Sequence, residues 1–195
     1  MGLRFLFIVL AFLSPNLYSQ NEIINKINNY MFDKEAYDEI IFVSIEKQKM
    51  YQINLGKIYK SYNISSSKFG IGNKKGSNMT PLGLHKIKEK HGNETPINGR
   101  LIGRLFYGKI AEIFTDTTTS KTDDITSRIL WLEGLEEGIN KGKDIDSFKR
   151  YIYIHGTSEE GKIGKPASHG CIRMKNKDVI DLFKEVSIGT FVLIL

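Results

Sequence analysis

The single cysteine of the chain stands in Ser168-His169-Gly170-Cys171-Ile172-Arg173. A thiolate is a strong nucleophile, but it needs a base within hydrogen-bond reach and a further group to orient that base. Two histidines are candidates. His169 lies two residues before the cysteine, and His155 ends the apolar segment Tyr151-Ile152-Tyr153-Ile154. A side chain at the end of a strand is held still, and the carbonyl of Gly156 is free to fix an imidazole ring. Gly170 allows a backbone geometry that other residues resist, so amide groups can approach a reacting oxygen. The residues after Cys171 lead toward a helix, whose N-terminal end lowers a thiol pKa where the sulfur lies close to it. His85 and His91 fall in a Lys-rich segment and are expected to face solvent.

Two other readings compete for the same residues. A free cysteine is often only a small buried hydrophobe. His155, His169 and Cys171 also make a three-ligand metal set, although His-Gly-Cys lacks a standard zinc spacing and no carboxylates recur nearby. With one cysteine there is no intramolecular disulfide framework and no Cys-rich zinc module.

These residues must be positioned by a rather small protein. The chain has 195 residues, 28 Lys+Arg, 22 Asp+Glu and 41% hydrophobic residues, which suits one domain and excludes a mainly disordered chain. The spacing of Ile23, Ile24, Ile27, Tyr30 and Met31 predicts a short helix within residues 20–37. Strand signals follow at 40–45, 50–55 and 57–64, the first two as a hairpin, and again at 84–88, 111–114, 125–132 and 151–154. Residues 65–83 have loop chemistry and end in Thr80-Pro81-Leu82-Gly83; 115–124 and 140–146 read as exposed loops. Asn176 is expected to cap a helix running to Val186, with Asp178 in its first turn, and Thr190–Leu195 to close the chain as a strand. The fold class expected is β-rich α+β, a single domain of mixed β-sheets or a sandwich with a few peripheral helices.

Residues 1–19 resemble an export signal: Arg4, an apolar run from Phe5 to Leu13, Ser14-Pro15 and a small residue at Ser19. That run is too short to span a bilayer, which takes about 20 apolar residues. Its removal takes only Arg4 among charged residues and lowers the net charge from +6 to +5. Export makes nucleic acid an unexpected partner, and no stable membrane span is expected once the signal is gone. A modest positive charge suits loose attraction to anionic envelope polymers.

Ile154-His155-Gly156-Thr157, followed downstream by Ser168-His169-Gly170-Cys171-Ile172-Arg173-Met174, resembles the L,D-transpeptidase catalytic domain of the YkuD type. Thr80-Pro81-Leu82-Gly83 is similar to that family's upstream Thr-Pro-x-Gly signature, and the resemblance covers residues 38–195. It implies Cys171 as nucleophile and His155 as general base and later acid, oriented by the Gly156 carbonyl. It implies an oxyanion held by amides near His169, Gly170 and Cys171, with Ser168 shaping the turn. Many relatives carry Asn where Arg173 stands here. Arg173 is expected either to pair with a substrate carboxylate or to be a surface charge.

The function implied is acyl transfer in the cell envelope or periplasm, without a cofactor. The donor would be a peptidoglycan tetrapeptide stem that loses its terminal D-alanine. The acceptor stays open between a second stem peptide, an amine of an envelope protein, a free D-amino acid and water. Carbapenems would acylate the same sulfur. An L,D-carboxypeptidase and a non-catalytic envelope-binding module remain as alternatives.

Overall fold

The computed structural model describes residues 15–34 and 36–195, with side chains from Gln20 onward. Most of the 1–19 export segment lies outside the described residues. Its last five residues open helix α1 (Pro15–Met31), where Pro15 takes the first helical position, the one place a missing N–H costs nothing. The described residues up to Ala36 form one compact unit and Tyr37–Leu195 another.

The second unit is a mixed sheet. Strands β1 (Glu39–Ser44), β2 (Lys49–Asn54) and β3 (Lys57–Ser65) form an antiparallel meander. β4 (Gly83–His91) pairs with β7 (Ile125–Gly134), and β7 with β8 (Tyr153–Thr157), both antiparallel. β9 (Ile172–Met174) joins the halves, antiparallel to β3 and parallel to β8. The last strand, β10 (Phe191–Ile194), inserts between β1 and β4. The β4–β7 pairing turns this order into a closed ring, so one mixed sheet folds on itself. Closure leaves no open edge among the ring strands. It encloses Ile41, Val43, Ile64, Leu130, Leu132, Ile154, Ile172 and Val192, all fully buried, and helix α2 (Asn176–Glu185) adds Val179 and Leu182 to the same core.

Several sequence expectations change. β5 (Gly99–Ile102) and β6 (Leu105–Ile110) form a hairpin attached to β7 through Arg100 and Thr126. Every residue of β6 is exposed, so no in–out alternation marked it in the sequence. Residues 111–114, expected as a strand, are irregular chain held at Phe114 N–H by the Ser158 carbonyl. His85 is fully buried rather than solvent-facing: Nδ1 bonds the Gly83 carbonyl and Nε2 the Ser147 hydroxyl, each at 2.9 Å. Thr80 closes the 65–83 loop, its hydroxyl accepting the Ser67 N–H at 2.9 Å and its backbone bonding Gly70 and Gly72.

Asn176 is not the cap of α2; Lys175 holds that position and Asn176 is the buried first residue. Its Oδ1 accepts hydroxyl hydrogens from both Thr126 and Ser127 at 2.6 Å, and its Nδ2 donates to the Thr157 carbonyl at 2.9 Å and to Glu160 at 2.8 Å. Consecutive strand residues normally point to opposite faces. The irregular register between Thr126 and Ile129, with Ser127 at φ 62°, lets both hydroxyls reach one side chain. Asn176→Ala should therefore cost about 2–4 kcal/mol in urea unfolding, because it strands several buried polar groups at once; a loss under 1 kcal/mol would contradict this account.

Candidate active site

Strands β8 and β9 bring the expected site residues together. Their parallel register places His155 beside Arg173, Ile154 beside Ile172 and Gly156 beside Met174. Extending that register by one residue puts Cys171 beside Tyr153, and the Tyr153 N–H lies 3.4 Å from Cys171 Sγ. Side chains alternate along each strand. Cys171 and Arg173 thus share a face with Tyr153 and His155, while Ile154, Ile172 and Met174 point into the core.

His155 is 3% exposed, and its Nδ1 lies 2.7 Å from the Gly156 carbonyl. A carbonyl only accepts, so Nδ1 carries the hydrogen and Nε2 keeps a free lone pair. Burial drives the imidazole pKa down to about 4, against the upward pull of the Gly156 carbonyl. No other residue fits at Gly156: a Cβ there would stand 2.6 Å from the Thr126 carbonyl and 2.7 Å from Asn176 Oδ1.

Cys171 is half-buried. Its thiol donates to the Tyr151 carbonyl and accepts from Tyr153 N–H, both at 3.4 Å. Cys171 and His155 line one cavity of about 90 Å³ with Ser168, His169, Asp123 and Arg173. Burial raises the thiol pKa to about 11; the Tyr153 N–H pulls it down, Asp123 pushes it up, and Arg173 and Arg150 lower it. The expected depression by a helix terminus does not occur, since β9 intervenes and α2 starts only at Asn176. Burial thus favours the neutral form of both the thiol and the imidazole.

The turn before Cys171 is fixed by Ser168, whose hydroxyl donates to the Cys171 carbonyl at 2.5 Å and accepts the Gly170 N–H at 3.2 Å. Gly170 has φ 123°, a conformation that demands glycine although a Cβ would meet nothing nearer than 3.4 Å. His169 stands at the surface, and its Nδ1 bonds Asp123 Oδ2 at 2.6 Å.

Arg173 corrects one of its two expectations. It is 2% exposed, so it is no surface charge, and its two terminal nitrogens are taken by Glu159 at 2.8 Å and by Asp123. A substrate carboxylate would have to displace one of these partners. Burial pushes the Asp123 and Glu159 carboxyls up. The charges and hydrogen bonds around them, Arg173 included, outweigh it, and both end below their ordinary values. Asp123 and Glu159 were missed because nothing in the polar run 115–124 or in Ser158-Glu159-Glu160 separates a site carboxylate from a solvated one. Among the described residues no group of three or more His, Cys, Asp or Glu side chains is arranged to hold a metal ion.

A groove of about 480 Å³ is lined by Asn78, Trp131, Phe148, Arg150, Tyr151 and His169 among others; Tyr151, whose carbonyl accepts from the Cys171 thiol, lies in its wall. Trp131 is nearly buried, stacked on Phe148 at 3.9 Å, whereas Tyr151 is exposed. Arg150 ties this groove to the 65–83 loop through the carbonyls of Gly72 and Met79.

Residues 38–194 match the family model for the L,D-transpeptidase catalytic domain. A putative L,D-transpeptidase of Bacillus subtilis, YqjB, is 54% identical over 45 residues, which is 23% of this chain and 26% of that protein. A probable L,D-transpeptidase of Escherichia coli K12, YbiS, is 46% identical over 41 residues, 21% of this chain and 13% of that one. The matched part thus spans about a quarter or less of these relatives. Among solved structures, an L,D-transpeptidase from Xylanimonas cellulosilytica is similar with a TM-score of 0.48 and 17% identity, over 94% of this chain and 71% of the other.

Two consequences of the site are measurable. Iodoacetamide should alkylate Cys171 slowly at pH 7 and faster by about tenfold per pH unit up to pH 10, because only the thiolate reacts; a plateau below pH 8 would mean a preformed thiolate. His155 and His85 both sit near pKa 4 against an ordinary 6.5, so the unfolded chain binds more protons between those values. Stability should be full above pH 6.5 and fall as pH drops from 6.5 to 4, read by urea unfolding at stepped pH.

Proposed function

We propose, on the premise that this chain belongs to the L,D-transpeptidase catalytic-domain family, that Cys171 transfers the acyl group of a peptidoglycan stem peptide to an amine. The observation that carries the reading is the shared cavity of a thiol and an imidazole whose Nδ1 hydrogen is held by the Gly156 carbonyl, leaving Nε2 as the base.

In this reading the substrate draws the thiol away from the Tyr151 carbonyl toward His155. Cys171 Sγ attacks the carbonyl carbon of the third stem residue as its proton passes to Nε2. Proton transfer accompanies attack, because the separated thiolate and imidazolium are disfavoured at this site. The tetrahedral oxyanion collapses, the C–N bond to D-alanine breaks, and the imidazolium returns its proton to the leaving amine. An incoming amine then attacks the thioester, gives a proton to Nε2, and the expelled sulfur recovers it as a thiol.

Backbone amides of the 169–171 turn are the proposed oxyanion donors. The Gly170 N–H is bonded to Ser168 Oγ at rest and would have to exchange that partner for the oxyanion. Asp123, close to His155, favours the imidazolium once it forms. The groove beside Tyr151, with aromatic and cationic side chains in its walls, is the proposed bed for the donor stem. Export to the envelope belongs to the same proposal, supported by the 1–19 pattern.

The test is D-alanine release from a tetrapeptide stem, with the intact mass of the enzyme recorded during turnover and after a carbapenem. Wild type should carry an acyl adduct that Cys171→Ala lacks. His155→Ala should lose about 10²–10⁴-fold in turnover while keeping its thermal midpoint within a few degrees. An adduct on the Cys171→Ala protein, or near-normal turnover without His155, would overturn the assignment. Failure of wild type to be acylated at all would favour a binding module.

A further inference from the structure

A second cavity, about 280 Å³, adjoins the small one lined by Cys171 and His155. Asp123, His169 and Arg173 line both. Its walls also carry Glu159, Lys68 and Lys162. Resting on the transpeptidase reading, we infer that this cavity is a carboxylate subsite, formed by Lys68 and Lys162, which holds the carboxylate beside the leaving amine and then the carboxylate beside the incoming one. The acceptor class it selects is an amine flanked by a free carboxylate, an amino-acid zwitterion, over a bare amine such as a protein lysine.

The charge pattern supports this. Both acids of the cavity are already engaged. Glu159 is bonded to Arg173 at 2.8 Å, to Lys162 at 3.1 Å and to the Ser120 N–H at 2.6 Å. Asp123 is bonded to Arg173 and to His169. The cations are not matched in the same way. Lys162 spends one hydrogen on Thr119 Oγ1 at 2.7 Å and one on Glu159. Lys68 forms no ion pair with any described residue, and its ammonium stands 5.2 Å from the Phe69 ring centre. The cavity therefore presents surplus positive charge at its mouth and no free carboxylate to compete for it.

Position supports it equally. A general acid must face the amine that it protonates. His155 shares a cavity with Asp123 and Arg173, which also line the Lys68–Lys162 cavity, and it does not line the aromatic groove. The expelled D-alanine is an amine with a carboxylate one carbon away. Because acylation and deacylation are the same step run in opposite directions, the incoming amine occupies the place that D-alanine left. Whatever holds the first carboxylate holds the second.

The experiment uses the enzyme with a tetrapeptide donor and two acceptors, D-methionine and D-methioninamide, which differ in the carboxylate. Lys68→Ala, at an exposed position that leaves the core untouched, should raise the acceptor KM for D-methionine about three- to fivefold relative to the amide. Lys162→Gln should act in the same direction and Lys68→Arg should restore the ratio. If the acid-to-amide ratio is unchanged in both Lys68→Ala and Lys162→Gln, the subsite assignment is wrong. Acylation of Cys171 by the donor, read by intact mass in the same samples, separates the two readings. An acylated enzyme with an unmoved ratio rejects the subsite alone, and an enzyme never acylated rejects the transpeptidase reading with it.

Discussion

Parallel pairing of β8 with β9 sets nearly every feature of the site, because it is a register constraint and not a local preference. Parallel strands cannot be joined by a tight turn. The chain between Thr157 and Ile172 must leave the sheet and return, and it carries Glu159 and the Ser168–Cys171 turn on the way. Once His155 stands beside Arg173, the pleat places Cys171, Arg173 and His155 on one face and the isoleucines on the other. A slip of one residue would exchange the thiol for Ile172 and bury the chemistry in the core.

Burial then shapes the electrostatics. An imidazole and a thiol removed from water both favour their neutral forms, so the site stores no ready thiolate. The thiol is further held by its hydrogen bond to the Tyr151 carbonyl at 3.4 Å. Arg173, the buried cation on the same face, is compensated by two carboxylates that reach it from distant segments, Asp123 from an irregular run and Glu159 from the crossover. Removing either acid would leave a buried charge short of a partner, so the network ties the surface run around Asp123 to β8 and β9.

Closure of the sheet supplies the rigidity behind this arrangement. β10 inserted between β1 and β4 and the β4–β7 pairing hold β7 from one side, and Asn176 clamps β7, the end of β8 and Glu160 from the other. The walls of the groove are fastened similarly. His85 holds Ser147, and Arg150 holds the carbonyls of Gly72 and Met79. The segment that offers the Tyr151 carbonyl to the thiol is thus anchored through residues far from it in sequence.

What the sequence determined by itself was local. The apolar and β-branched runs marked most ring strands, the period of Val179, Leu182 and Phe183 marked α2, and the motif around the lone Cys171, with Gly170 and an upstream His155, marked the family. Those signals are legible because they depend on neighbours a few residues apart. The closed ring, the exposed β5–β6 hairpin, the burial of His85 and Arg173, the role of Asn176 inside rather than at the cap of α2, and the entry of Asp123 and Glu159 into the site were decided only in three dimensions. A polar residue reads the same in sequence whether water or a buried partner satisfies it. The difference is made by desolvation and by partners 14 and 50 residues distant, and no periodicity along the chain records them.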